Sequence, residues 1–325
     1  MRKNPFYSAL AVLLFVLNCP AEAQQKGKLP VLGWLSARPA SLLGLERFRP
    51  GLQALGYMDG KNIAFEPRYA NNDFDRLPAL AAELVSLQVD VLVTPSTIEA
   101  FAAKNATKTI PIVFLNAADP IASGLVDSLA RPGSNITGLT NLAGVLAGKR
   151  LELLKEIIPK LARVAVLWDP RAPGSAQQWK ESHFPARELG LQLRSMEVSS
   201  IDKIEGAFRE AMRARGAAMA VTQSPLFLSN RKLVTDLALK NRLPAIYNRT
   251  DWIDHGGLIS YGPDDSEPIK RAAVMVDKIL KGTKPTDIPV EQPMGFEMGL
   301  NFQTAKALGL TIPPIVLMRA TRVVK

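Results

Sequence analysis

The chain has 325 residues, 47% hydrophobic and 22% charged, which excludes a disordered chain and leaves room for two domains of roughly 100–200 residues each. Its net charge of +10 is scattered, without runs of basic residues interleaved with aromatics, which argues against a nucleic-acid partner. A single cysteine, Cys19, excludes a disulfide framework.

Arg2 and Lys3 precede an apolar run over 9–17, and Ala21-Glu22-Ala23 follows. A basic start, a short apolar core and an A-x-A site form a secretory signal, so cleavage is expected after Ala23. The run is far shorter than the ~20 residues that span a bilayer. Lipidation at Cys19 is the alternative, but Asn18 stands where a small residue is wanted. Cleavage after Ala23 leaves no cysteine for thiol catalysis or metal ligation.

Beyond the signal, short apolar runs alternate with amphipathic ones. "PVLGWL" (30–35) predicts a strand, "LGLERFRPGLQALGY" (43–57) a helix stopped by Gly56, and "NIAFEPRY" (62–69) an edge strand because of Pro67. "DRLPALAAELVSLQ" (75–88) predicts a helix capped by Asp75, followed by the strand "VDVLV", the helix "TIEAFAAKNA" (97–106) and the strand "IPIVFL". "RPGSNITGLT" (131–140) carries turn residues, and the rhythm then restarts with the helix "GKRLELLKEIIP" (148–159). Strands "RVAVLWD", "LQLRSMEV", "AAMAVT", "LPAIYN" and "GGLISYG" follow, separated by helices over 174–190 (with a kink expected at Pro185), 201–216 and 229–242. A last long helix covers 265–282, and a strand near 288–290 returns to the first series.

Short strands alternating with longer helices mean βαβ units. Two open α/β units of similar size are expected, with the chain crossing between them about three times. The domain reading is a signal peptide over 1–23, a first lobe over 28–137 plus 263–291, and a second over 138–262 plus 292–325.

Ligands of open α/β sheets bind beyond the carboxyl ends of the strands. Those ends carry Ser36, then Thr94, Ser96 and Thr97, then Asn116 to Asp119, and in the second half Asp169, Thr222 to Ser224, Tyr247 and Tyr261. Each taken alone reads as a cap or turn residue, and Trp34 as a ring buried beneath its sheet. Together they make one ligand-facing rim. Motifs for covalent or metal chemistry are missing: no H-E-x-x-H, C-x-x-C or G-x-S-x-G occurs. "GVLAGKR" has the wrong spacing for a P-loop, and no G-x-G-x-x-G follows the first strand. His183 and His255 read as a surface and a loop residue.

"GLQALGYMDGKNIAFEPRYA", "TIPIVFLNAADPIASGLVDSLARPGSNITGLT", "LPAIY…GGLISYGPD" and "KGTKPTDIPVEQPMGFEMGLNFQTAKALGLTIPP" resemble the bacterial periplasmic substrate-binding proteins of ABC transporters. The likeness is to the group related to tryptophan- and tyrosine-type binding proteins. It implies an α/β fold with two doubly wound parallel-sheet lobes, type I periplasmic binding protein-like, with three interlobe crossovers. It also implies a periplasmic monomer that takes no cofactor, captures a small-molecule ligand by hinge closure and passes it to an ABC transporter permease. The loop at Thr94–Thr97 matches the family's first-lobe ligand loop, from which Pro95 and Ser96 depart. Asp119 matches a recurrent Asp-Pro, Tyr261 a recurrent Ser-Tyr-Gly, and "TQSPLF", with Gln223 and Phe227, a second-lobe loop.

On this reading Thr94, Ser96 and Thr97 take a carboxylate at a helix N-terminus, with Ser36, Asn116 and Gln223 beside them. Asp119 or Asp169 takes an amine, and Phe227, Tyr247 and Tyr261 stack on a ring. Two alternatives stay open: the sensor of a signalling system, and an exported α/β enzyme.

Overall fold

The computed structural model describes residues 29–325 except 43, 143, 215 and 265. The expectations for the signal over 1–23 and for Cys19 lie outside the described residues.

The first lobe is built on a five-stranded parallel sheet in the order β2-β1-β3-β4-β5. Its strands are β1 (Val31–Ser36), β2 (Ala64–Tyr69), β3 (Val91–Thr94), β4 (Ile112–Ala117) and β5 (Ile136–Thr140). Helices α1 (Gly44–Gln53), α2 (Leu77–Ser86) and α3 (Thr97–Ala106) connect them. Alternation along each strand feeds two faces. Leu32, Trp34, Val91, Val93 and Val113 pack with Phe48 of α1, whereas Leu35, Leu92, Ile112 and Phe114 pack with Leu80 and Leu84 of α2. Both faces are covered, as a parallel sheet requires. Pro67, which has no N–H for a ladder, lies on the edge strand β2 as expected.

The second lobe carries seven strands in the order β12-β11-β10-β9-β8-β6-β7. These are β6 (Arg163–Trp168), β7 (Gln192–Glu197), β8 (Ala218–Val221), β9 (Ala245–Tyr247), β10 (Ile259–Pro263), β11 (Phe296–Asn301) and β12 (Arg322–Val324). All neighbours run parallel except β10 and β11. Its helices are α4 (Val145–Ile157), α5 (Pro173–Glu188), α6 (Ile204–Arg213), α7 (Pro225–Ser229) and α8 (Arg231–Lys240). Helix α5 runs through Pro185 as one element. Helix α9 (Ser266–Leu280) returns to the first lobe, where Ala272, Ala273 and Val276 join the Trp34 cluster. The chain ends in α10 (Phe302–Ala307) and α11 (Pro314–Met318) on the second.

Two expectations need correction. The turn-rich segment 131–140 ends in β5, a buried strand. Its Gly138 sits at φ +153°, where an added Cβ would lie 2.1 Å from the Phe114 carbonyl oxygen, so the strand reads as a turn in sequence. The segment near 288–290 is no strand. It makes a single bridge, Leu139 to Glu291, and there Glu291 N–H donates to Gly138 and Thr140 N–H to Glu291. The chain passes between lobes after β5, after β10 and before β11, three times in all.

The lobes touch. Ser229 Oγ donates to Asn72 Oδ1 at 2.7 Å, and the Arg171 guanidinium lies 4.9 Å from the Phe74 ring centre. One apolar cluster runs from Leu80 and Phe114 in the first lobe to Leu167 and Phe208 in the second.

Candidate functional site

In the first sheet the strand order reverses between β1 and β3, and in the second between β6 and β8. Such switch points leave a crevice beyond the strand ends. Here the two crevices face each other across one cleft. Its narrower section is lined from the first lobe by Arg38, Pro95 to Glu99, Asn116 and Ala118. Asn141, at the first crossover, also lines it. The second lobe contributes Ala172 to Gly174, Gln223, Pro225, Leu228 and Arg249. A wider section of about 660 Å³ continues through Arg38, Pro95, Asn116 and Arg249 to Trp34, Arg47, Arg231 and Asp251.

Ser96 is the N-cap of α3, and Glu99 stands three residues on, the spacing of a capping box. The box does not close. The Ser96 hydroxyl donates to Glu99 Oε2 and accepts nothing from the helix, while Glu99 Oε1 takes the Ala37 N–H at 2.9 Å. The backbone N–H groups of Ser96, Thr97 and Ile98 therefore keep no intramolecular partner among the described residues. They face the cleft at the positive end of a helix, which suits an anion.

The same buried glutamate fixes Arg38. Glu99 holds Ala37, and Ser36 Oγ accepts the Arg38 N–H at 3.1 Å, so the chain beyond β1 turns Arg38 into the cleft. Burial first, and then Arg249, lowers the Arg38 pKa to about 10, and the guanidinium remains charged at neutral pH. Arg249 stands two residues past β9, as Arg38 stands two past β1. Its guanidinium binds both Asp251 oxygens, at 3.1 and 3.3 Å, and Arg231 adds a third bond at 3.3 Å. Burial raises the Asp251 carboxyl, but Arg249 and Arg231 outweigh it and hold it below the usual range. Asn116 Oδ1 and Trp34 Nε1 are buried without partners, and both residues line the wider section.

Of the residues expected at the site, Ser96, Thr97, Asn116 and Gln223 line the cleft. The Thr97 hydroxyl is used internally and accepts the Ala118 N–H at 3.0 Å. The rest lie elsewhere, each for a physical reason. Ser36 is buried and holds Arg38, and Thr94 is wholly buried at the end of β3. Asp119 caps its own turn through the Ala122 N–H and takes Gln177 of α5 at 3.1 Å, on a separate groove. Asp169 is fully buried, where its oxygens accept from Ser224 Oγ and the Arg171 N–H. Phe227 is a core residue, and Tyr247 stacks on Trp252 with ring centres 4.5 Å apart. Tyr261 stacks on Phe296. Among the described residues no aromatic ring lines the narrower section; Pro95, Pro173, Pro225, Ile98 and Leu228 form its apolar walls. Among the described residues no group of three or more His, Cys, Asp or Glu could hold a metal ion.

Residues 36–324 match the family described as ABC transporter substrate binding protein. The chain belongs to that family. The fold is that of type I periplasmic binding proteins. A tyrosine-binding protein of Clostridioides difficile (strain R20291) is 29% identical over 263 residues, 81% of this chain and 75% of that protein. An ABC domain in complex with L-Trp from Streptococcus pneumonia is 26% identical, with a TM-score of 0.84 over 91% of this chain and all of that one. The ligand-free, open structure of a substrate binding protein with adhesive properties from Clostridium difficile has the same identity and coverage, yet a TM-score of 0.64. The two lobes of this substrate-binding protein are in direct contact.

Proposed function

We propose that this substrate-binding protein is the exported solute receptor of an ABC importer. It captures a small organic ligand between its lobes and hands it to a membrane permease. The reading rests on one observation: hydrogen-bonding groups left without partners line a cleft to which both lobes contribute. The signal sequence over 1–23 supports export, and among the described residues no helix is long and apolar enough to cross a membrane.

The ligand class that fits is an amino acid or a related organic acid, as the tyrosine- and L-Trp-binding relatives suggest. Its carboxylate meets the free N–H groups at Ser96 to Ile98, and an ammonium meets Asn116 Oδ1. Its side chain lies against the proline walls rather than on Tyr247 or Phe227. The two sheets with their flanking helices close as bodies about the three crossovers, and the ligand is the bridge between them. No reaction is catalysed.

Thermal shift of the chain from Gln24 onward, against amino acids, organic acids and sugars, tests this. Saturating ligand adds about 3 kcal/mol at a hundredfold excess over Kd, a clear rise in melting temperature. Asn116→Ala is expected to lower that rise. A panel without any shift contradicts the reading.

A further inference from the structure

Trp34 packs from β1 against Phe48 of α1, with ring centres 5.7 Å apart, and is 1% exposed. Its Nε1–H is buried and meets no acceptor. A buried N–H without an acceptor costs free energy, and a phenylalanine would fill the same core without that cost. What the indole borders gives the N–H a use. An added Cβ on Gly44, the first residue of α1, would lie 3.2 Å from Trp34 Cζ2 and 4.0 Å from Cε2, the carbon bonded to Nε1. The same point lies 3.6 Å from Arg38 Nη2. The φ of Gly44 is outside the left-handed region, so its backbone does not call for glycine; the open space beside the indole does. Trp34, Gly44 and Arg38 all line the wider section. The Arg38 backbone is tied to the Ser36 hydroxyl, through its N–H at 3.1 Å and its carbonyl oxygen at 3.3 Å. Its guanidinium makes no hydrogen bond or ion pair among the described residues.

Two donors thus border one small opening. The walls around it are apolar, from Leu42, Leu115, Pro268 and Ile269. Donors and walls all belong to the first lobe; the second lobe borders the recess through Arg231, Arg249 and Asp251, which are bound to one another. We propose that this recess is a side-chain subsite that reads an oxygen acceptor at the far tip of the ligand, with Trp34 and Arg38 as the specificity-determining donors. Pro95 and Asn116 line both sections, so a side chain rooted in the narrower section enters the recess past them. An apolar stem fits the walls, and a hydroxyl, carbonyl or amide oxygen fits the donors. A hydrocarbon tip leaves the Trp34 N–H and the Arg38 charge without an acceptor once water is excluded, and the site rejects it for that reason. This deepens the solute-receptor reading and rests on it.

The test compares the strongest binder of the thermal-shift panel with its own analogue in which the side-chain oxygen is replaced by hydrogen or a methyl group, by calorimetric titration of the wild-type protein. For tyrosine the analogues are phenylalanine and 4-methylphenylalanine. The strongest binder is expected to carry a side-chain oxygen, and its analogue to bind at least ~30-fold more weakly, as a site built to hydrogen-bond that oxygen requires. Gly44→Ala, which fills the opening, is expected to weaken the oxygen-bearing ligand about 10-fold or more and to leave the analogue within a few-fold. Trp34→Phe is expected to shrink the preference for the oxygen-bearing ligand by a similar factor. The subsite is overturned if the strongest binder is a sugar or has no side-chain oxygen, if ligand and analogue bind the wild type alike, or if the preference survives Gly44→Ala or Trp34→Phe. In those cases the solute-receptor reading stands. A panel in which nothing binds overturns both. The comparison of ligand and analogue needs no variant and so does not depend on how Trp34→Phe folds.

Discussion

In the first lobe the loops after β1 and β3 and the last residues of β4 present Arg38, the free N–H groups at Ser96 to Ile98, and Asn116 to the cleft. In the second, the polar residues after β6 and β8 are bound to one another. Ser175 Oγ accepts the Asp169 N–H at 2.8 Å and meets Thr222 Oγ1 at 2.6 Å, and Ser224 Oγ donates to Asp169 at 2.6 Å. Residue types at the two rims are alike. Their availability differs because each rim contains one buried acid with different partners. Asp169 needs hydroxyl and N–H donors to remain buried, and it takes those of its own rim. Glu99 is served by the Ala37 N–H and the Ser96 hydroxyl, which leaves the α3 N-terminus open.

The largest effect should come from breaking the approach of the two rims. An added Cβ on Gly174 would lie 2.8 Å from Ala118 Cβ across the cleft. Gly174→Val is expected to cut ligand affinity about 100-fold, a crowding cost of roughly 2–3 kcal/mol, as read by calorimetric titration. Melting of the ligand-free protein should change little, and unchanged affinity would show that the rims do not meet in the bound state.

Next is Ser224→Ala, which strips a hydroxyl from the buried Asp169. About 2 kcal/mol of stability should be lost in urea unfolding, while the folded protein keeps its ligand affinity within a few-fold. A large loss of affinity with normal stability would place the second rim in contact with the ligand after all.

A smaller effect sharpens the same contrast. Burial raises the Asp169 carboxyl above its ordinary range, and the Ser224 hydroxyl, the Arg171 N–H and the Arg171 charge only partly offset this. The folded protein thus holds this proton more tightly than the unfolded chain. Asp169 favours folding most below the unfolded pKa, near 3.9, and that contribution is lost as pH rises through the higher folded value. Asp169→Asn does not ionise, so its melting temperature relative to the wild type should rise between about pH 4 and pH 7. A flat difference would contradict the assignment. Smallest is Arg171→Ala. It removes an interlobe pair to Asp75 at 3.4 Å, with Asp75 91% exposed, and should cost no more than about 1 kcal/mol.

Much of the fold was legible in the sequence because it is written in short-range pattern. Val91 to Val93 and Ile112 to Leu115 read as strands from their apolar runs, and Pro67 marked an edge. β5 was not legible, since Gly138 and the turn residues before it mask a strand of five residues. The site was half legible. Ser96, Thr97, Asn116 and Gln223 stand where strand ends put them. Arg38 and Arg249 were missed because an arginine reads as surface by default, and no local pattern shows that positions 38 and 249 meet. Their shared place, two residues beyond a strand, was the available signal. The aromatic candidates pack away from the cleft, because large rings at strand ends gain more by burial, as Tyr247 does on Trp252.

A crystal structure of the protein with the best binder from the panel shows directly where the ligand sits. The ligand is expected between the lobes, within hydrogen-bonding distance of Arg38 and of the N–H groups at Ser96 to Ile98, with Asp169 still bound to Ser224. A ligand held outside the cleft, or one seated in the Asp169 network with Arg38 untouched, would contradict it.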